Sequence, residues 1–178
     1  MAILMLRHTQ PAVAPGTCYG QLDLDVAETF EAEAHQVLQN LPSVSEIISS
    51  PSQRCRKLAD FIGAAMSLPV ATDIRLQEMD FGTWEGRAWN DIPRPELDAW
   101  AEDFLHARPH GGESVAILKA RADEVLSELA TRQTDTLVVT HAGIVRAVFA
   151  DGPDAHHFQT QIEYGGLLRF PQHKDAPA

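Results

Sequence analysis

Cysteine is almost missing from this chain. Cys18 and Cys55 are the only two, too few for a disulfide framework and without the CxxC spacing of a metal knot. Both are expected to be free thiols, with Cys55 a small packed residue and not a reactive one. Basic residues are scarce too: 14 Lys and Arg stand against 25 Asp and Glu, a formal net charge of −11. That balance argues against nucleic acid or an anionic membrane as partner. It does not exclude a small anionic substrate, because a local cluster of cations can reverse the potential inside one pocket. No apolar run approaches the roughly 20 residues that a spanning helix needs. The apolar opening, residues 1–6, has no basic segment before it and no small-residue cleavage site after it. A cytoplasmic protein is expected. Internal repeats and low-complexity tracts are absent as well.

What remains is an ordinary globular composition of 178 residues, 44% hydrophobic and 22% charged, the size of one domain spanning 1–178. Residues 2–6 are apolar at every position, as in a parallel strand covered on both faces. Residues 9–25, with Pro11, Pro15, Gly16 and Gly20, read as a long loop. Val26, Phe30, Val37, Leu38 and Leu41 follow helical spacing up to Pro42. Ile47 and Ile48 form a short strand. Ser50 then reads as the N-cap of a helix, with Pro51 at N1 and Gln53 closing a capping box. Cys55, Leu58, Ala59 and Ile62 form its buried stripe, and Ala64–Met66 can extend it.

Val70, Thr72, Ile74 and Leu76 alternate like an edge strand. Residues 82–112, with three tryptophans and a short helical pattern at Leu97, Trp100 and Phe104, read as a cap-like excursion from the sheet. An amphipathic helix follows through Val115, Leu118, Ala122, Val125, Leu126 and Leu129. Strand 136–140 ends in His141, and a helix starts at about Gly143. "IEYGGLLRF" reads as a last strand, and 171–178 as a frayed end. Alternating strands and helices predict a three-layer α/β/α sandwich with a mostly parallel sheet.

In such sheets ligands bind beyond the carboxyl ends of the strands. Three segments bring polar residues there: Arg7 and His8 after the first strand, Arg54 in the first turn after the second, and His141 after strand 136–140. Arg54 is misplaced for its helix dipole, which favours anions at an N-terminus. A bound anion would remove that conflict. Together these residues describe a site for a phosphoryl dianion, with arginine forks gripping its oxygens and a neutral imidazole able to attack phosphorus. An acid to protonate the leaving oxygen is also needed, and Glu78, Asp80 and Glu85 are the nearby candidates.

The ordered segments "LRHTQP", "CYGQLDLD", "SSPSQRCRKLA", "LQEMDFGTWEGRAW", "GGES" and "VVTHAGIVRAV" resemble the motifs of the histidine phosphatase superfamily, with its phosphoglycerate mutase-like fold, from residue 2 to about 170. "CYGQ" and "MDFGTWEGRAW" are most similar to its alpha-ribazole phosphatase branch, which acts in cobalamin biosynthesis. The resemblance implies His8 as nucleophile and future phosphohistidine. It implies His141 as a further catalytic residue in a phosphate pocket with Arg7 and Arg54, Glu78 as proton donor, and Arg7, Arg54, Thr9, Gln21 and Ala142 as substrate-binding residues. Thr9 stands where many members have glycine, a departure that the alpha-ribazole branch shares. A phosphate dianion beside Glu78 favours the carboxyl form that holds a proton, and Arg7 and Arg54 favour a neutral His8.

"GGES" reads as structural, a tight turn followed by a helix start. His106, His110, His156, His157 and His173 lack metal spacing and read as surface histidines; no metal or cofactor is expected. Trp84, Trp89 and Trp100 either stack on an aromatic leaving group or form the core of the cap. The expected activity is phosphomonoester hydrolysis, with a phosphoglycerate mutase or a broad-specificity small-molecule phosphatase as the nearest alternatives. A catalytically silent binding domain of the same fold would have lost one of the two histidines or two arginines, and all four are kept. The expected partner is a small phosphorylated metabolite, and a homodimer is compatible with this reading.

Overall fold

A computed structural model describes residues 1–171. Its centre is a five-stranded sheet in the order β3-β2-β4-β1-β5. The strands are β1 (Ile3–Arg7), β2 (Glu46–Ser49), β3 (Val70–Thr72), β4 (Thr136–Thr140) and β5 (Leu167–Arg169). The first four are parallel, and β5 closes the edge antiparallel to β1. The helices are α1 (Phe30–Asn40), α2 (Gln53–Met66), α3 (Arg94–Glu102), α4 (Val115–Thr131) and α5 (Ala142–Phe149).

The unbroken apolar runs are explained by two cores. Side chains alternate across a strand, so Leu4, Leu6, Ile47, Leu137 and Val139 pack with Ala34, Val37, Cys55, Leu58 and Ile62 of α1 and α2. Ile3, Met5, Ile48 and Val138 face the other way, onto Leu118, Val125, Leu126, Ile144 and Val145 of α4 and α5. This is the expected three-layer sandwich. A third, smaller cluster joins Cys18, Trp84 and Ile92, with Phe81, Trp89, Leu97 and Trp100 against it. No helix among the described residues is long and apolar enough to cross a membrane.

Several local expectations are corrected. The helix anticipated from Val26 begins at Phe30, because Val26 is taken into a bridge with Pro11. Ser50 does not cap α2. It still belongs to the strand edge, donating its backbone N–H to Val139 O at 2.9 Å, and Ser52 is the N-cap, without a side-chain capping bond. The alternation at 70–76 is strand only to Thr72. The Asp73 side chain then accepts from Arg75 N and winds Ile74–Leu76 into a 3-10 turn. In "IEYGGLLRF" only Leu167–Arg169 pair; Gly165, at φ +67°, lets residues 162–166 fold over the end of β1. The expectations for 172–178, and for His173, lie outside the described residues.

Register places the chemistry. Arg7 of β1 lies opposite Thr140 of β4, and Ser49 of β2 opposite Val139. The residues after these strands therefore emerge side by side, with His8 N donating to Thr140 O at 3.0 Å.

Candidate active site

His8, Arg54 and His141 are buried together at the carboxyl edge of β1, β2 and β4. The His8 and His141 rings meet edge to face at 5.2 Å between centroids. His8 Nδ1 lies 2.7 Å from Thr9 O. A carbonyl can only accept, so Nδ1 carries the proton and Nε2 keeps the free lone pair. His141 is held in the opposite tautomer. Arg54 Nη2 donates to its Nδ1 at 3.2 Å, and its Nε2–H faces Ser50 Oγ at 2.8 Å. The serine expected as a helix cap is thus a histidine partner.

Burial is the main reason both rings stay neutral, with Arg54 the next largest cause. The His8 pKa is pushed down to about 3, Arg7 adding to the effect and the Thr9 hydrogen bond opposing it. The His141 pKa is likewise well below the ordinary histidine value. The arginine effect anticipated from the sequence is present but second to desolvation. A pH consequence follows. An unfolded chain binds protons at these histidines below about pH 6.5, whereas the folded chain refuses them until far lower. Their contribution to stability is complete above pH 6.5 and is lost as pH falls toward 3. Urea unfolding should therefore show stability declining from pH 6.5 to 4, with a shallower slope in His8→Asn.

The arginines are posed by backbone. Arg54 Nη1 and Nη2 donate to Leu22 O and Gly20 O at 2.9 and 2.6 Å, which is how the "CYGQ" loop orients them. Arg7 Nη1 donates to Ile162 O at 2.8 Å, with its guanidinium 3.8 Å over the Tyr164 ring. Tyr19 and Tyr164 are the chain's only tyrosines, and their hydroxyls meet at 2.9 Å across the site. Arg7 Nε, Arg54 Nε and Thr9 Oγ1 are buried without a partner among the described residues. Buried donors in that state are rare, and three around one histidine suit a polyanionic group.

Glu78 arrives from the loop after the 3-10 turn. Its Oε2 accepts from Gly143 N at 3.0 Å and its Oε1 from Met79 N at 3.0 Å. The "GGES" motif supports it: Ser114 caps α4 through Ile117 N, and Glu113 pairs with Arg121. Arg121 in turn donates to the carbonyls of Arg75, Gln77 and Glu78. The rival carboxylates are occupied elsewhere. Glu85 accepts from the backbone N–H of Gln21, Leu22 and Phe81, and Asp80 from Gly82. Gly143 is required by close approach, since a Cβ there would stand 2.1 Å from Glu78 Oε1. Gly143→Ala should therefore lower kcat/KM by about 100-fold through displacement of Glu78, checked by initial rates and a thermal melt.

Arg7, His8, Glu78 and Ala142 line one cavity of about 610 Å³. Gln21 does not line it; it is exposed, with Nε2 3.4 Å from Glu78 O. Trp89 and Trp100 line the cavity as well as packing in the third cluster, whereas Trp84 is wholly buried there. All three tryptophans thus belong to the core of the cap, and Trp89 and Trp100 reach the cavity as well. Sequence reasoning missed Ser50, Tyr19, Tyr164, Arg121 and Arg146, the last of which also lines the cavity. Their residue types carry no signal without the third dimension. His110 is a correction. It is buried, with Gly112 N donating to its Nδ1 at 2.9 Å and its ring 4.8 Å from Trp84, because the glycine turn folds it inward. Cys55 is buried 3.5 Å from His141 Nε2, and burial pushes its thiol pKa up, consistent with an inert packed residue.

A model of the histidine phosphatase superfamily (branch 1) matches residues 3–176. The chain belongs to this family and is a phosphomonoesterase. It is 32% identical over 164 residues to glucosyl-3-phosphoglycerate phosphatase of Mycolicibacterium vanbaalenii, covering 83% of this chain and 72% of that one. To the adenosylcobalamin/alpha-ribazole phosphatase of Escherichia coli it is 29% identical over 121 residues, 65% of this chain and 59% of that one. The structure of mycobacterial glucosyl-3-phosphoglycerate phosphatase with inorganic phosphate matches with a TM-score of 0.82 at 26% identity, covering 97% of this chain and 90% of the other. The branch suggested by "CYGQ" is among the relatives, and the M. vanbaalenii glucosyl-3-phosphoglycerate phosphatase aligns at higher identity and over more of the chain than the E. coli enzyme does.

Proposed function

We propose that this enzyme hydrolyses a small phosphomonoester in two steps through a phosphohistidine on His8. The observation that carries this reading is the His8 tautomer: a neutral ring whose Nδ1–H is fixed by Thr9 O, leaving Nε2 free to attack. In the first step Nε2 forms a bond to phosphorus while the bond to the ester oxygen breaks. Glu78 gives its proton to that oxygen, and the alcohol leaves. In the second, Glu78 takes a proton from water, the oxygen attacks phosphorus, and the P–N bond breaks. Phosphate departs and His8 is again neutral. Arg7 and Arg54, each with a buried Nε–H that has no partner among the described residues, meet the charge on the transferring group, and His141 holds Arg54 in place by accepting from its Nη2. Thr9 and the first turn of α5 at Ala142 complete the surroundings.

The same arginines supply the positive charge that a metal would otherwise bring. Activity is expected to survive EDTA; loss restored by a divalent ion would count against this assignment. The substrate itself is tested by phosphate release from glucosyl-3-phosphoglycerate, alpha-ribazole phosphate, phosphoserine, 3-phosphoglycerate and 4-nitrophenyl phosphate. Turnover of one metabolite far above the others, lost in His8→Ala, is the supporting result. No release from any ester would overturn the reading.

A further inference from the structure

A second group of histidines lies outside the catalytic cavity. After α5 the chain passes through Asp151, Gly152 and Pro153 into a 3-10 turn, Ala155–Phe158, with Asp154 at its start. One ligand-type atom from each of Asp154, His156 and His157 lies within 4.8 Å of the others. Among the described residues no other three His, Cys, Asp or Glu side chains converge in this way. Nothing in their spacing marks these residues; the turn gathers them. Successive side chains of a 3-10 turn point about 120° apart, yet the His156 and His157 rings close to 4.0 Å between centroids. None of the three lines the catalytic cavity, although Ala155 and Phe158 of the same turn do.

Each side chain has a donor atom to offer. Asp154 occupies the N-cap position but makes no side-chain capping bond, so its carboxylate is not spent on the turn. His157 Nδ1 is bonded to the Asp151 carboxylate. A carboxylate accepts, so Nδ1 carries the proton, and in the neutral ring Nε2 keeps its lone pair. A metal-bound imidazole is held in the same way, its other N–H given to a carboxylate that fixes the ring and raises its basicity. Gly152 makes room for the ring, since a Cβ there would stand 2.5 Å from Nε2 and 2.7 and 2.8 Å from Cδ2 and Cε1. An atom in the ring plane beyond Nε2 would be much nearer to Nε2 than to those carbons. Gly152 therefore packs over the ring face and leaves the in-plane lone pair open. His156 is exposed and free to turn toward the same point. Zinc holds such nitrogen and oxygen atoms at about 2.0–2.2 Å, roughly 3.5 Å from one another, so the group needs to contract by only about 1 Å.

We propose that Asp154, His156 and His157 bind a divalent transition-metal ion, zinc being the best match, with Asp151 orienting His157 and a fourth position left to water. Two imidazoles and a carboxylate suit such an ion better than calcium or magnesium, which take oxygen donors. The ion pins the outer side of the turn whose inner side, Ala155 and Phe158, forms cavity wall. It takes no part in phosphoryl transfer, in keeping with activity that survives EDTA, and the site does not depend on the hydrolytic reading. The test is titration of tag-free, EDTA-stripped enzyme with zinc chloride, read by isothermal titration calorimetry and by thermal melts. Wild type should bind one equivalent and melt at a higher temperature when loaded, and a large excess of magnesium should not compete. Asp151→Ala, which removes only the orienting carboxylate, should weaken binding by about 10- to 100-fold; His156→Ala, which removes a ligand, should weaken it further. The metal-free melts of both variants should match wild type, because the side chains removed lie at the surface. His8→Ala should bind zinc as tightly as wild type, which separates this site from the catalytic histidines. No saturable binding by wild type, binding unchanged in His156→Ala, or binding lost in His8→Ala overturns the proposal.

Discussion

His8→Ala should reduce kcat/KM by roughly 10⁴-fold or more, the loss typical of removing a covalent nucleophile that acts as a unit with its neighbours. No other group in the site is placed to replace it. The His141 ring has its Nδ1 lone pair directed at Arg54 and its Nε2–H at Ser50. The Cys55 thiol is fully buried and held protonated by that burial. The variant should still fold, because alanine removes a buried ring whose one side-chain hydrogen bond among the described residues is to the neighbouring Thr9 carbonyl. It should also retain phosphate affinity, since Arg7 and Arg54 remain. Steady-state kinetics with 4-nitrophenyl phosphate and phosphate titration of the variant check both points. Activity within about tenfold of wild type would remove His8 from the mechanism.

Glu78→Gln should hurt most where the leaving group is poor. Glutamine keeps the length and can still occupy the space beside Gly143, but it cannot deliver a proton. An alkyl alcohol must then depart as a high-pKa alkoxide, and its phosphoenzyme should form about 10²- to 10⁴-fold more slowly. The 4-nitrophenolate ion needs little help, so that ester should lose less than about tenfold in the same step. Single-turnover measurement of phosphoenzyme formation is the proper comparison, because the proposed second step also uses Glu78 to activate water, and its loss would slow both substrates there. Equal slowing of alkyl and aryl esters in the first step would show that Glu78 is not the acid. Asp80 and Glu85 are poor substitutes, since their carboxylates hold the loop through Gly82, Gln21, Leu22 and Phe81.

The sandwich was legible because both-face burial leaves an unmistakable mark: Ile3 to Leu6 and Leu137 to Val139 are apolar without alternation, and each divides its side chains between two cores. The gathering of His8, Arg54 and His141 was legible for a related reason, since strand ends in a parallel sheet share one edge. Periodicity failed where a polar contact interrupts a plausible pattern. Asp73 turns the chain after Thr72, and the bridge from Val26 to Pro11 shortens the start of α1. His110 was misjudged as a surface residue because its burial depends on the path of the glycine turn, which no spacing reveals. Arg121 and Arg146 look like any solvated helix arginine in one dimension. Only packing shows that the first clamps the carbonyls around Glu78 and the second lines the cavity.

Rapid-quench trapping with a ³²P-labelled ester tests the central claim most directly. The account predicts label that is acid-labile and alkali-stable, carried by the peptide containing His8 and attached at Nε2, because Nδ1 is committed to Thr9 O. Turnover without any trapped phosphoenzyme, or label on His141 or at Nδ1 of His8, would contradict it.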